Sequence, residues 1–386
     1  MHTRDGAGDR PEIVQGSGAA VLDELGADLD DLLAAAGAPI TARRPWLACW
    51  ARHHTDWRPW VVGVRLGGRL RGAAVLARQV RRGVARVAML GHGESDYCAL
   101  PVRAPADALP LALAVERALR RQRRPWTVHL EQLPVGDPVV AALRARLRSE
   151  IGPADPCVIV PIDPPGADLR AFLAARARKN TRNAAGRVRR DGVALEVRRL
   201  RGRTEVLAAL PEIHRVRRAG NAAKGLDDHA DLAYRGFWGE ILPLLAERGE
   251  LDVTELRLDG DLACYAVCLR DGTAYRGWDT RLDPRFARYS PGHLLRDAIL
   301  GQLAGEQWTE YDLMRGTEAY KNALDTRQRD LVELRAWSSP VLRLPRRARR
   351  TAAALRDRHP RLIDVDQRVR TALRGPADGA VRSGRS

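Results

Sequence analysis

Two sets of three short strand-like runs, each set joined by tight turns, fix most of what this chain can fold into. Trp60–Leu66, Leu70–Ala77 and Val84–Leu90 meet at Gly67-Gly68 and Arg82-Gly83. Asp252–Leu258, Leu262–Leu269 and Thr273–Asp279 meet at Asp259-Gly260 and Asp271-Gly272. Dipeptides of this kind supply the positive φ angles of two-residue hairpin loops, so each set reads as an antiparallel meander. Helical spacing precedes both. Val21–Ala36 carries Leu22, Leu25, Leu29, Leu32 and Leu33, and Pro45–His54 places Trp46 and Trp50 four residues apart. Before the second meander stand a strand, Val193–Leu200, and two helices, Thr204–Arg218 and Leu232–Arg248.

The elements after the two meanders match as well. After the first come a helix over Ala106–Arg121, a strand over Thr127–Gln132, a helix near Pro138–Arg148 and a strand over Cys157–Ile162. After the second, Ser290-Pro291-Gly292 opens a helix in which Leu294, Leu295, Ala298, Ile299 and Leu303 form one stripe. A strand through Tyr311-Asp312-Leu313, a short helix to Ala323 and a strand over Leu331–Trp337 complete the unit. The residues do not repeat but the architecture does. The fold class expected is mixed α/β (α+β), with two tandem units, each a mostly antiparallel sheet flanked by helices. The expected partition is a loose N-terminus (1–16), a first unit (17–163), a basic connecting helix (164–192), a second unit (193–340) and a basic tail (341–386).

Composition narrows the function classes. The formal charge is +17, yet residues 341–386 hold 13 Arg against four Asp, so +9 of it sits in the tail. The remaining excess is spread thinly and supports a general attraction to anions. No apolar run reaches the ~18 residues of a membrane span, and the first ten residues lack the apolar core of a signal peptide, so a cytoplasmic protein is expected. Five scattered cysteines, Cys49, Cys98, Cys157, Cys264 and Cys268, contain no C-x-x-C; they read as buried free thiols, with no metal site. A long helix is expected over Asp168–Asp191, stopped by Gly192, with Arg178, Arg182 and Arg189 on one side. It is either a solvated basic face or one that meets phosphates.

The element order, together with Ser290-Pro291-Gly292, Tyr311-Asp312-Leu313, Arg315-Gly316, Tyr320-Lys321, the run Arg178-Lys179-Asn180-Thr181-Arg182 and Ile213-His214-Arg215 with Arg217-Arg218, resembles tandem GNAT acyltransferases. It is similar to the CelD-like acetyltransferases named for cellulose biosynthesis clusters, and to the Fem-type aminoacyl transferases, over about residues 40–340. The resemblance implies acyl transfer from acetyl-CoA or another acyl-CoA to an amine or hydroxyl of a small-molecule or saccharide acceptor. The donor's pyrophosphate would lie at the opening of the Ser290 helix, where free backbone N–H groups and the positive dipole end suit an anion. That region offers Arg288, Tyr289, Ser290, Pro291, Gly292, His293 and Leu294, with Lys321 beyond. It departs from the glycine-spaced Q/R-x-x-G-x-G/A of many GNAT enzymes.

The chemistry needs a base, a donor for the oxyanion and an acid for the thiolate. By resemblance, Asp279 at the end of the third meander strand is the candidate base or amine anchor, and Tyr320 the candidate acid. His214 is a third acid–base candidate. Asp96 and Tyr97 lie in the first unit's matching loop and would line a cleft between units. Arg178, Lys179, Arg182, Arg218 and Arg315 are candidate contacts for an anionic substrate. Asp312, inside a strand, reads either as a substrate contact or as a buried partner for an arginine. Two alternatives accompany this reading. One is a Fem-like transferase drawing on aminoacyl-tRNA, held by the basic helix and tail. The other is a non-catalytic binder of nucleic acid or an anionic surface, against which the tail's lack of interleaved aromatics argues.

Overall fold

The structure, a computed structural model, describes residues 11–225, 231–317, 321, 324 and 326–343. The first half runs β1 (Glu12–Ser17), α1 (Ala20–Ala35), α2 (Arg44–His53), β2 (Arg58–Leu66), β3 (Arg69–Arg81), β4 (Val84–Met89), α3 (Ala108–Arg120), β5 (Trp126–Pro134), α4 (Pro138–Arg146), β6 (Ser149–Pro153) and β7 (Cys157–Pro161). The second runs α5 (Ala175–Arg190), β8 (Leu195–Leu200), α6 (Arg203–Ala223), α7 (Asp231–Glu247), β9 (Leu251–Leu258), β10 (Asp261–Asp271), β11 (Ala274–Leu282), α8 (Pro291–Leu303), β12 (Glu310–Arg315), β13 (Arg327–Arg329) and β14 (Leu331–Trp337).

Both meanders form where the turn dipeptides place them. Gly67, Gly68, Arg82, Gly83, Asp259, Gly260 and Gly272 all take positive φ, as two-residue hairpin loops demand. Each meander becomes the centre of a seven-stranded mixed sheet, and the class is the tandem α/β arrangement that the sequence pattern predicts. The first sheet has the order β1-β2-β3-β4-β5-β14-β6, the second β13-β7-β12-β11-β10-β9-β8.

The sheets exchange strands across the expected partition between 163 and 193. β7 leaves the first half to pair with β12 and β13, while β14 returns to lie between β5 and β6. Pro153, opposite Val332, is the last residue of β6, and Pro156 directly precedes β7, so the chain turns between the two sheets there. The two crossings run side by side, joined by the Ala154 N–H on Leu331 O at 2.9 Å.

Three further departures from the sequence reading are short-range. Residues 12–17, expected to be loose, form β1 along the edge of β2, with Ile13 opposite Val64. The expected Asp168–Asp191 helix divides. A single turn covers Leu169–Phe172, Leu173 and Ala174 are extended, and α5 begins at Ala175. Arg178 donates to Leu173 O at 2.6 Å across the break. The short helix expected near Ala323, and the tail beyond Arg343, lie outside the described residues.

One core serves both sheets. Leu22, Leu29 and Leu32 of α1 and Trp46 and Trp50 of α2 cluster with Ile213 of α6 and with Phe237, Trp238 and Ile241 of α7. Separate cores lie beneath α3 and α4 on the first sheet and beneath α5 and α8 on the second. The stretch Trp337–Ser386 is a second compact unit, described only to Arg343, whose guanidinium stands 5.3 Å from the Trp337 ring. Among the described residues no helix is long and apolar enough to cross a membrane.

Candidate functional site

β11 and β12 run parallel for three pairs, Ala274–Glu310 to Arg276–Asp312, and then part. Two irregularities part them. On β11 Trp278 is an extra residue, because Gly277 and Asp279 face the consecutive Cys268 and Val267. On β12 Met314 takes a left-handed φ of 60°, and the register against β7 slips between Asp312 and Arg315. A bulge bends its strand and turns backbone away from pairing. A cavity of about 220 Å³ opens between the separated ends. Gly277–Arg281 of β11 and Leu313–Arg315 of β12 line it, with Arg217 of α6, Trp238 of α7 and Lys321. The first unit's loop after β4 closes it with Gly93, Glu94 and Asp96.

Asp279 lies in the wall. It accepts from the Tyr265 hydroxyl at 2.7 Å and pairs with Arg217 and Arg281, each at 2.9 Å. With its oxygens occupied by a hydroxyl and two guanidiniums, Asp279 fixes two cations in place instead of standing free to take a proton. Arg217 also stacks on Trp238 at 4.7 Å.

Asp96 differs. It is buried and pairs with Arg315 Nε at 3.0 Å. Burial, outweighing the attraction of Arg315, pushes its carboxyl up to about 6. Arg315 also reaches Gly93 O at 3.4 Å, so it ties β12 to the first unit's loop.

Behind the cavity, the Tyr97 hydroxyl donates to Asp312 at 2.6 Å, and Arg276 donates to the same carboxylate at 2.5 Å. Asp312 also accepts the Met314 N–H at 2.7 Å and holds that left-handed residue. Asp312 is fully buried, and burial raises its carboxyl pKa although Arg276 opposes the shift. Lys321, expected to meet a phosphate, donates to Met314 O, Arg315 O and Gly316 O at 3.0, 2.6 and 3.1 Å. An ammonium has three donors, so these contacts make it a brace for the end of β12.

The six-residue turn Pro284–Tyr289 leads from β11 to α8. Ser290 has φ 50°, and its hydroxyl does not cap the helix; it accepts from Arg187 Nη2 of α5 at 2.8 Å. Pro291 has no N–H, and the His293 N–H takes Ser290 O at 3.0 Å, which leaves the Gly292 N–H as an orphan of the first turn. A methyl group placed on Gly292 would meet no atom within 4 Å. Arg187 and Arg296 flank the mouth, and each keeps a buried Nε–H without an acceptor among the described residues. His293 Nδ1 lies 3.2 Å from Arg296, and burial, with Arg296 and Arg187 adding to it, lowers the imidazole pKa. Tyr289 and Leu294 are buried in the core, while Arg288 pairs with Asp191 at 2.9 Å at the surface.

The other expected residues do not join the cavity lining. The His214 ring lies 6.1 Å from that of Trp238, and Arg178, Lys179, Arg182 and Arg218 are outside the lining as well. Tyr320 lies outside the described residues. Sequence reasoning missed Arg217, Arg281, Glu94, Trp238 and Trp278 at the cavity, and Arg187 and Arg296 at the helix mouth. A signal for Arg217 was present: it shares the buried face of α6 with Ile213 and Gly220, and an arginine on an apolar face calls for a partner.

The first unit has the same parting with different chemistry. β4 and β5 separate after Ala88–His129, and Gln132 takes φ 57°. His92 pairs there with Glu131, and His129 with Glu333 at 2.7 Å. The matching helix, α3, starts at Asp107, whose carboxylate accepts the Ala104 N–H at 3.0 Å and pairs with Arg71. A carboxylate at that position repels a phosphate. All five cysteines are free and buried.

Residues 175–322, which span α5 to β12, match the family model of the acetyltransferase (GNAT) domain. No curated protein sequence matches the chain. Among solved structures, FemX shares 12% identity with a TM-score of 0.58, covering 78% of this chain and 94% of its own. A C-terminal domain assigned to lysylphosphatidylglycerol synthetase, from Agrobacterium fabrum, shares 14% identity with a TM-score of 0.50, covering 80% of this chain and 91% of its own. Likeness at this identity speaks for the fold; the domain match supports a transferase of acyl groups. Residues 175–322, with the parted strands and the open mouth of α8, are thus similar to the acetyltransferase (GNAT) domain, in a chain whose fold is like that of FemX.

Proposed function

We propose that the chain transfers an acyl group from a coenzyme A thioester to the amine or hydroxyl of a small polar acceptor. The donor's diphosphate sits at the mouth of α8, and the acceptor meets the thioester in the cavity between β11 and β12. The observation that carries this reading is the open first turn of α8, where a Cβ on Gly292 would meet no atom within 4 Å, with Arg187 held on the Ser290 hydroxyl at 2.8 Å and Arg296 beside His293 at 3.2 Å. Backbone N–H groups at a helix start, with guanidiniums next to them, suit an anionic ligand. Asp96 serves as the base that takes the acceptor's proton, since a carboxyl near 6 is ionised at neutral pH yet still basic enough to accept. Arg217 and Arg281 orient the acceptor.

The test is Gly292→Glu. A carboxylate in a helix's first turn is compatible with folding, and the site has room for it. Coenzyme A affinity, measured by calorimetry, should fall by about 100-fold, while the melting temperature stays near that of the parent. Unchanged affinity refutes the assignment.

A second reading, transfer from aminoacyl-tRNA as the Fem-type resemblance implies, is favoured by the exposed Arg176, Lys179, Arg182, Arg189 and Arg190 of α5, the helix that supplies Arg187. Thermal-shift measurements separate the two, because a ligand selective for the native state raises its melting point. Acetyl-CoA should stabilise the chain and charged tRNA should not. The opposite pattern, weakening steeply with salt, moves the donor to RNA.

A further inference from the structure

We propose that Cys49 and His53 of α2 and Glu240 of α7 form a divalent-metal site of the kind that takes Zn²⁺, and that the ion fastens the first unit's helix to the second's. Cys49 and His53 are four residues apart, the spacing that stacks two side chains on one helix face. Glu240 comes from the helix packed against that face. One ligand atom from each of the three lies within 4.8 Å of the others, and His53 Nε2 stands 2.8 Å from Glu240 Oε2. Bonds of about 2.0–2.3 Å to nitrogen, oxygen and sulfur need only small shifts from that arrangement.

The surroundings fit the donor set. Arg52 occupies Glu240 Oε1, so the oxygen that would ligate is Oε2, which His53 Nε2 now meets, and Arg52 acts as an outer partner that orients the carboxylate. His53 is seated against Gly236, where a Cβ would come within 2.5 Å of Nδ1; only glycine leaves room for the ring. The thiol faces inward and is fully buried, 3.7 Å from Phe237 O. His53 and Glu240 keep side-chain exposures of 26% and 37%, which gives the ion an entry path and a fourth position for water. A sulfur, nitrogen and oxygen set selects zinc-like metals over magnesium or calcium. Phe237 packs on Trp46 at 5.2 Å, and Trp46 packs on the cavity residue Trp278 at 4.9 Å. The metal therefore braces the aromatic wall behind the cavity and takes no part in bond making. Ligation replaces the thiol proton with the metal and releases it to solvent, so binding tightens as pH rises.

Cobalt is the direct probe. Full-length protein kept reduced and metal-free, titrated with Co²⁺, should show a near-ultraviolet thiolate-to-cobalt band and visible bands of tetrahedral intensity, both bleached by Zn²⁺. Zn²⁺ should raise the melting temperature by several degrees. Cys49→Ser should abolish the thiolate band. Glu240→Gln, a change at a half-exposed position, should weaken binding at least tenfold while the protein stays folded. Cobalt binding without a thiolate band, a thiolate band that persists in Cys49→Ser, unchanged affinity in Glu240→Gln, or no binding each overturns the proposal.

Discussion

Asp96→Asn is expected to lower kcat/KM for acyl transfer by about 10²–10³-fold, the share usually supplied by a well-placed base, while making the protein more stable at neutral pH. The two effects have one cause. Burial holds the Asp96 carboxyl at about 6, against the usual aspartate value of 3.8. Because the native value lies above the unfolded one, the group favours folding fully below about pH 4, and that contribution is lost as pH rises through 6. A displacement of roughly two units corresponds to about 3 kcal/mol, most of which a neutral amide of the same shape recovers. Its oxygen can still accept from Arg315, so the tie to β12 survives. Denaturation at pH 7.5 should therefore show a gain of about 1–3 kcal/mol that shrinks towards zero near pH 4. Activity of the parent should fall about tenfold per unit below pH 6, and the variant should lack that limb. A variant with both parental activity and parental stability would remove Asp96 from the mechanism.

How much of this was legible in the sequence depends on the range over which each feature is decided. The hairpin turns at Asp259-Gly260 and Arg82-Gly83 are legible because a positive φ is a demand two residues make locally. Pro291 marks the start of α8 for the same reason. Ser290 opens α8 with a left-handed backbone, and its hydroxyl is taken by Arg187, 103 positions earlier in the chain, which nothing near Ser290 could report. His214 stands out by residue type, although Arg217, one turn on, faces the cavity. Lys321 reads as a phosphate contact until three carbonyls, placed by the bend at Met314, account for its protons. Nothing local distinguishes β7 from β14, and pairing partners settle which sheet each joins. The raised carboxyl of Asp96 needs a loop of one unit to be buried by an arginine of the other, which periodicity cannot report.

Asp312→Ala should produce the largest loss of stability, about 3–5 kcal/mol by equilibrium denaturation, the usual result of removing one partner from a buried ion pair. The carboxylate accepts from a phenol, a guanidinium and a backbone N–H at once. Without it the Arg276 guanidinium keeps Asp271 at 2.9 Å and Glu310 at 3.6 Å, the Tyr97 hydroxyl loses its acceptor, and the left-handed turn at Met314 loses its clamp. Tyr97→Phe removes one neutral donor and should cost about 1–2 kcal/mol. Because the two side chains share a hydrogen bond, the double variant Tyr97→Phe/Asp312→Ala should be less damaged than the sum of the singles, by about 0.5–3 kcal/mol. That coupling measures the tie between the first unit's loop and the second unit's sheet. Additive losses would mean that the loop carrying Asp96 is not held through Tyr97. The loop would then be held by Arg315, by Gln132, which donates to Asp96 O at 3.2 Å, and by Thr41, which donates to Tyr97 O at 2.7 Å.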